Sequence, residues 1–103
     1  MVKIEYDAEF DILYIYKERK KVKFSIEALD NFVIDIGFDG NVVGLEIHNT
    51  SKTLKVSKSE LKNLEEAKLA TIRGKDFYGV IFGLRFKEVN LESELRVPIT
   101  VQS

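Results

Sequence analysis

The sequence predicts an α+β domain built mainly from antiparallel sheet: a five-strand N-terminal meander, one short helix and three C-terminal strands. Three observations carry this expectation. Apolar and polar residues alternate with period two through most of the chain, turn-forming pairs such as Asp39-Gly40 punctuate the alternation, and only one stretch carries a helix start signal. With 103 residues there is room for one compact core, and neither half alone could bury much apolar surface. Residues 1–103 are therefore expected to form a single domain, with 1–53 as the meander and 54–103 as a helix-plus-strands extension.

Val2, Ile4 and Tyr6 alternate with Lys3 and Glu5, which marks a strand with one buried and one wet face. Asp7 to Phe10 turns the chain. Ile12 to Tyr16 is apolar or aromatic at every position, the pattern of a strand covered on both faces, and is the expected central strand. Lys17 to Lys21 is too polar for a core and forms the next turn. Val22, Phe24 and Ile26 then alternate with Lys23, Ser25 and Glu27. Asp30 and Asn31 tolerate the positive backbone angles of a tight turn into Phe32, Ile34, Ile36 and Phe38. Asp39-Gly40 predicts a type I′ hairpin leading to Val42 through Ile47, because both central residues of that turn need positive φ.

Ser57 and Glu60 have capping-box spacing, and Leu61, Leu64 and Ala67 would form the helix's apolar stripe. Strand alternation resumes at Leu69 to Arg73, and Gly74-Lys75-Asp76 turns the chain into Phe77 to Phe86. There Tyr78, Val80, Phe82, Leu84 and Phe86 share a face opposite Gly79 and Gly83. Leu95, Val97, Ile99 and Val101 alternate with Arg96, Pro98 and Thr100, and Pro98 places this last strand at an edge.

Composition excludes several classes of function. A formal net charge of -1 provides no global field toward nucleic acid or an acidic membrane. The absence of Cys removes disulfides, thiolate nucleophiles and Cys-ligated metals, and suits a reducing cytosol. No window approaches the apolar length of a membrane span, so a cytoplasmic location without membrane contact is expected. Nothing in the chain calls for a cofactor.

Among polar groups, Asp7, Glu9 and Asp11 resemble part of a calcium loop but lack its central Gly and distal Glu, so solvated turn carboxylates are the expected role and no metal site is assigned. His48, the single histidine, stands two residues after Glu46, so both side chains point to one face of a strand. A general base oriented by a carboxylate has this arrangement, and so does an ordinary surface pair. No nucleophile motif accompanies it, and no residue is assigned a catalytic role. Arg19, Lys20 and Lys21, within the run from Lys17 to Lys23, could meet phosphates, with Lys52, Lys55, Lys58 and Lys62 as a second basic surface and Tyr14 and Tyr16 as stacking platforms. Glu18 interrupts the run, which favours a solvated turn over nucleic-acid binding.

Tyr6-Asp7, Glu9, Asp11 and Leu13-Tyr14-Ile15, followed by Asp39-Gly40-Asn41-Val42-Val43-Gly44-Leu45-Glu46-Ile47 and Asn49, resemble the two motifs of the prokaryotic domain of unknown function 2283. The resemblance covers roughly residues 1–53. Gly37-Phe38 departs from it, and Leu54 to Ser103 lies outside it. It implies no established activity and no site residues, and it raises the expectation of a binding role because some members are regarded as partners of toxin-like neighbours.

Apolar surface decides the functional expectation. Two-sided apolarity at Ile12 to Tyr16 and the large residues of Tyr78 to Phe86, with one helix as cover, leave more than a monomer easily hides. The expected function is a non-catalytic protein-interaction or regulatory module, as a homodimer or with a protein partner. Two alternatives stand beside it: a small-molecule binder or enzyme using His48 and Glu46, with Asp35 and tyrosines in a concave pocket, and a weak nucleic-acid binder through Lys17 to Lys23.

Overall fold

Eight strands and two single-turn helices follow one another in the computed structural model, which describes residues 1–98. The strands are β1 (Val2–Asp7), β2 (Ile12–Lys17), β3 (Val22–Ala28), β4 (Phe32–Gly37), β5 (Val42–Ile47), β6 (Glu66–Arg73), β7 (Phe77–Arg85) and β8 (Asn90–Pro98). The helices α1 (Thr50–Leu54) and α2 (Lys58–Lys62) lie between β5 and β6. The α+β class and the division into five and three antiparallel strands are as the alternation predicts. Ile99, Thr100 and Val101 of the expected last strand lie outside the described residues.

The first sheet corrects the meander. Its order is β1-β2-β5-β4-β3, so β2 pairs with β5 and β3 is displaced to an edge. Local alternation identifies strands but not their neighbours. β2, β5 and β4, which carry the fully buried residues of this sheet, take interior positions where both backbone edges are paired, while the exposed β3 goes outside. β2 is thus an interior strand, and β5 is the central one.

Leu13 and Ile15 of β2, Ile34 and Ile36 of β4, and Leu45 and Ile47 of β5 project from one face and are fully buried. Val80, Phe82 and Leu84 of β7, with Ala67, Leu69 and Leu95, meet them from the second sheet in one continuous core. β6 makes the crossing, packing on β1, β2 and β5. The shared face from Tyr78 to Phe86 is as expected, and it is consumed by this sandwich rather than left for a partner. β8 is an edge strand, again as expected.

Local details differ in instructive ways. The Asp39-Gly40 hairpin forms, but only Gly40 has positive φ, at 82°. The Gly40 N–H donates to the Gly37 carbonyl at 3.0 Å and the Gly37 N–H to the Asn41 carbonyl at 2.9 Å. This is a three-residue loop ending in a left-handed glycine, not a type I′ turn. Between β3 and β4 the left-handed residue is Leu29, φ 46°, rather than Asp30 or Asn31.

The single expected helix is two. Ser57 caps α2 through a reciprocal capping box with Glu60 at 3.0 and 3.1 Å, as its spacing predicts. The helix ends after one turn, with Leu61 buried, and Ala67 belongs to β6, where its alternation with Glu66 and Lys68 matches the sandwich. The unforeseen α1 starts after Asn49, itself left-handed.

Candidate functional site

The outer face of the first sheet has no second layer. Strand register builds its rows: Glu5 of β1 lies beside Tyr14 of β2, then Glu46 of β5, then Val33 of β4, and the adjacent row runs Lys3, Tyr16, Gly44, Asp35, Ser25. An open groove of about 910 Å³ forms here, lined by Glu5, Tyr6, Asp7, Ile12, Tyr14, Asp35 and Glu46 together with Ala8. Four of these eight are carboxylates and none is basic, so the groove has a negative potential.

Asp35 organises it. The side chain is 9% exposed, and both oxygens are occupied: the Tyr14 hydroxyl donates to Oδ2 at 2.7 Å and the Ser25 hydroxyl to Oδ1 at 2.6 Å. Gly44 makes the Tyr14 bond possible, because a Cβ there would stand 2.7 Å from Asp35 Oδ2 and 2.8 Å from the Tyr14 oxygen. Burial and then the bond to Asp35 push the Tyr14 phenol well above its ordinary range, so Tyr14 stays protonated and donating. Tyr16 stacks on Tyr14 with ring centroids 4.8 Å apart, and the pair presents an aromatic platform between Glu5 and Glu46.

His48 Nε2 is 3.2 Å from Glu46 Oε2, so the predicted sharing of a face holds. His48 lines a separate recess with Glu27, Asn31 and Phe32, whereas Glu46 lines the groove, and no residue lines both. The concave pocket joining Asp35, Glu46 and a tyrosine therefore exists without His48 in its lining.

Asp7, Glu9 and Asp11 do three different things. Asp7 accepts the N–H groups of Glu9 and Phe10 at 3.0 and 3.1 Å, forming the turn, and Glu9 is exposed. Asp11, φ 56°, is buried and accepts the Tyr6 hydroxyl at 2.6 Å, the Ser51 hydroxyl at 2.6 Å and the Ser51 N–H at 3.1 Å. Among the described residues no three His, Asp or Glu side chains converge on a point that could hold a metal ion.

Arg19, Lys20 and Lys21 are exposed in the β2–β3 turn. Lys52, Lys55, Lys58 and Lys62 lie on and around the two helices, and Thr50 ties α1 to the opposite end of β2 through the Leu13 N–H at 3.0 Å. The length of β2, roughly 17 Å at strand rise, separates the two basic groups, which do not make one surface.

Sequence reasoning named Asp35, Glu46 and the tyrosines but missed Ser25 and Gly44, which hold them, and Thr50 and Ser51, which hold Asp11. Each of these pairings crosses between strands or elements whose adjacency only the topology sets.

Residues 3–51 match the family described as protein of unknown function (DUF2283). Among curated proteins, an uncharacterized protein of Methanocaldococcus jannaschii is 50% identical over 64 residues, covering 61% of this chain and 54% of that protein. A protein of Methanosarcina mazei named "Putative hypoxanthine phosphoribosyltransferase" is 34% identical over 65 residues, covering 63% of this chain and 52% of that protein. The chain spans about half the length of these relatives. No solved structure matches it. The matched family segment contains β2 to β5, all of β1 except Val2, and every residue lining the groove.

Proposed function

We propose that the domain is a non-catalytic protein-interaction module whose acidic, tyrosine-lined groove takes a basic segment of a protein partner. The observation that carries this is the groove's composition: carboxylates of Glu5, Asp7, Asp35 and Glu46 around the exposed edge of the Tyr14–Tyr16 stack. A Lys or Arg head group over a tyrosine face gains cation–π attraction, and adjacent carboxylates add charge pairing. Tyrosine is also the side chain most favoured for rigid, amphipathic contact at interfaces.

Catalysis is disfavoured by the state of Asp35. A general base must present a lone pair to the substrate, and this carboxylate is 9% exposed with one lone pair of each oxygen already committed to a hydroxyl. Nucleic acid is disfavoured by charge, since bases stacking on Tyr14 or Tyr16 would carry phosphates toward Glu5 and Glu46. The same repulsion opposes a phosphate-bearing substrate, so the enzyme named for the second relative supplies no reading of this groove.

The test is titration of the full chain with an arginine- and lysine-rich peptide and with its glutamate-rich counterpart, comparing wild type, a Glu5→Lys/Glu46→Lys double variant, and Glu88→Lys as a charge control away from the groove. Wild type and Glu88→Lys should bind the basic peptide, and the double variant should lose at least about tenfold, as expected for reversing two interfacial charges. Equal binding by the double variant, or none by wild type at low salt, removes the proposal.

A further inference from the structure

β3 is the outer strand of the first sheet on the side away from β1, and its free edge presents unpaired backbone donors and acceptors. It is also exposed along most of its length: Val22 to Ser25 and Glu27 are all exposed, with Val22 at 44% and Phe24 at 42%. Read from either end, Val22-Lys23-Phe24-Ser25-Ile26-Glu27-Ala28 gives the same chemistry with the charges exchanged. A second strand of the same sequence, laid antiparallel about a two-fold axis at Ser25, sets Lys23 opposite Glu27 of the second copy and Phe24 opposite its Ile26. Both charges and both apolar residues are then matched across the seam.

We infer that β3 is a homodimerisation edge, pairing antiparallel with β3 of a second copy so that the two five-stranded sheets become continuous. A bulge lies between Val22 and Phe24, at Lys23. A bulge and a lysine on an edge deter strands that bring no matching carboxylate. A second copy brings Glu27, so the charge that rejects foreign strands accepts this one, and the ladder runs from Phe24 onward, past the bulge. The charges on the other edges are already engaged within the chain. In β1 Lys3 lies 3.8 Å from Glu18 and Glu5 accepts the Tyr16 hydroxyl at 3.4 Å, in β8 Glu94 pairs with Arg96 at 2.5 Å, and in β6 Glu66 is held by Arg85 at 3.1 Å, whereas Lys23 and Glu27 form no ion pair among the described residues. The acidic groove includes no residue of β3, so both surfaces can be occupied at once.

Sedimentation of the full chain across a concentration series tests this. Wild type should move from 11.8 kDa toward twice that mass. Lys23→Glu and Glu27→Lys should each weaken association by about tenfold, because each turns two attractive cross-strand contacts into repulsive ones. The Lys23→Glu/Glu27→Lys double variant should restore it to near wild type, which a merely structural role for either residue would not produce. Ser25→Cys, in a chain without other cysteines, should form a disulfide dimer, since directly opposed antiparallel residues bring Cα atoms to about 4.5–5.5 Å. A wild type still monomeric at millimolar concentration, single variants that associate like wild type, or a charge swap weaker than both singles would each overturn the inference.

Discussion

Asp11 joins the β1–β2 turn to α1, and replacing it tests how far three hydrogen bonds to one buried carboxylate hold the two together. Bonds to a charged acceptor are worth about 1.5–3 kcal/mol each, but Tyr6 and Ser51 are only half buried and recover part of that from water. Asp11→Ala should therefore cost about 2–4 kcal/mol, with some of it from placing Ala at left-handed φ. For a domain of this size the melting temperature should fall by about 10–25 °C. Asp11→Asn keeps the shape and the tolerance of positive φ, removes the charge, and should cost about 1–2 kcal/mol.

The pH dependence separates charge from shape. Burial raises the Asp11 pKa, but the Ser51 hydroxyl, the Tyr6 hydroxyl, the Ser51 N–H and the positive charge of Lys58 outweigh it, so the folded value lies below 3.8. The unfolded chain then takes up the proton first as acid is added. The stabilisation is fully present above about pH 5 and is lost as pH falls through 3.8 and on through the lower folded value. Urea unfolding followed by far-ultraviolet circular dichroism should show the gap between wild type and Asp11→Asn narrowing below about pH 4. Burial and the Asp11 bond push the Tyr6 phenol up to about 12, so phenolate absorbance should show a tyrosine titrating nearer its ordinary 10.0 in the variant. A gap that stays constant from neutral to strongly acid pH, or an Asp11→Ala loss under about 0.5 kcal/mol, would refute the reasoning.

Other substitutions probe other links. Thr50→Val keeps the fully buried volume but leaves the Leu13 N–H and the Ile47 carbonyl, now 3.0 and 2.7 Å from the hydroxyl, without partners, and should cost about 2–3 kcal/mol by urea unfolding. Gly44→Ala forces apart Tyr14 and Asp35, so it should cost about 2 kcal/mol, and the Tyr14 phenol should titrate at lower pH. Leu29→Gly removes a side chain from a left-handed position where it is 70% exposed and packs little, and should stabilise by up to about 1 kcal/mol, read as a raised urea midpoint. Arg73→Ala removes bonds to the Asp39 and Gly40 carbonyls at 2.6 and 3.2 Å that clasp the β4–β5 loop from the second sheet, and should cost about 1 kcal/mol.

The sequence by itself determined the features that depend on neighbours along the chain. Period-two alternation marked most of the strands and an unbroken apolar run marked β2, since a strand's faces are set by its own residues, although β8 begins at Asn90, five residues before the expected Leu95. Alternation also assigned Tyr78 to Phe86 to one face and Gly79 and Gly83 to the other. Ser57 and Glu60, three residues apart, specified a cap that needs no distant partner. Tertiary structure decided whatever depends on which strands are neighbours. β5 lies between β2 and β4, and only that order brings Gly44, Asp35 and Ser25 into one row with Tyr14 in the row beside it, where the groove forms. The same order puts β3 at an edge. The apolar excess that suggested a partner divides accordingly: one part closes the sandwich, and the part on the outer face of β2 stays uncovered, because strand order leaves that face without a second layer.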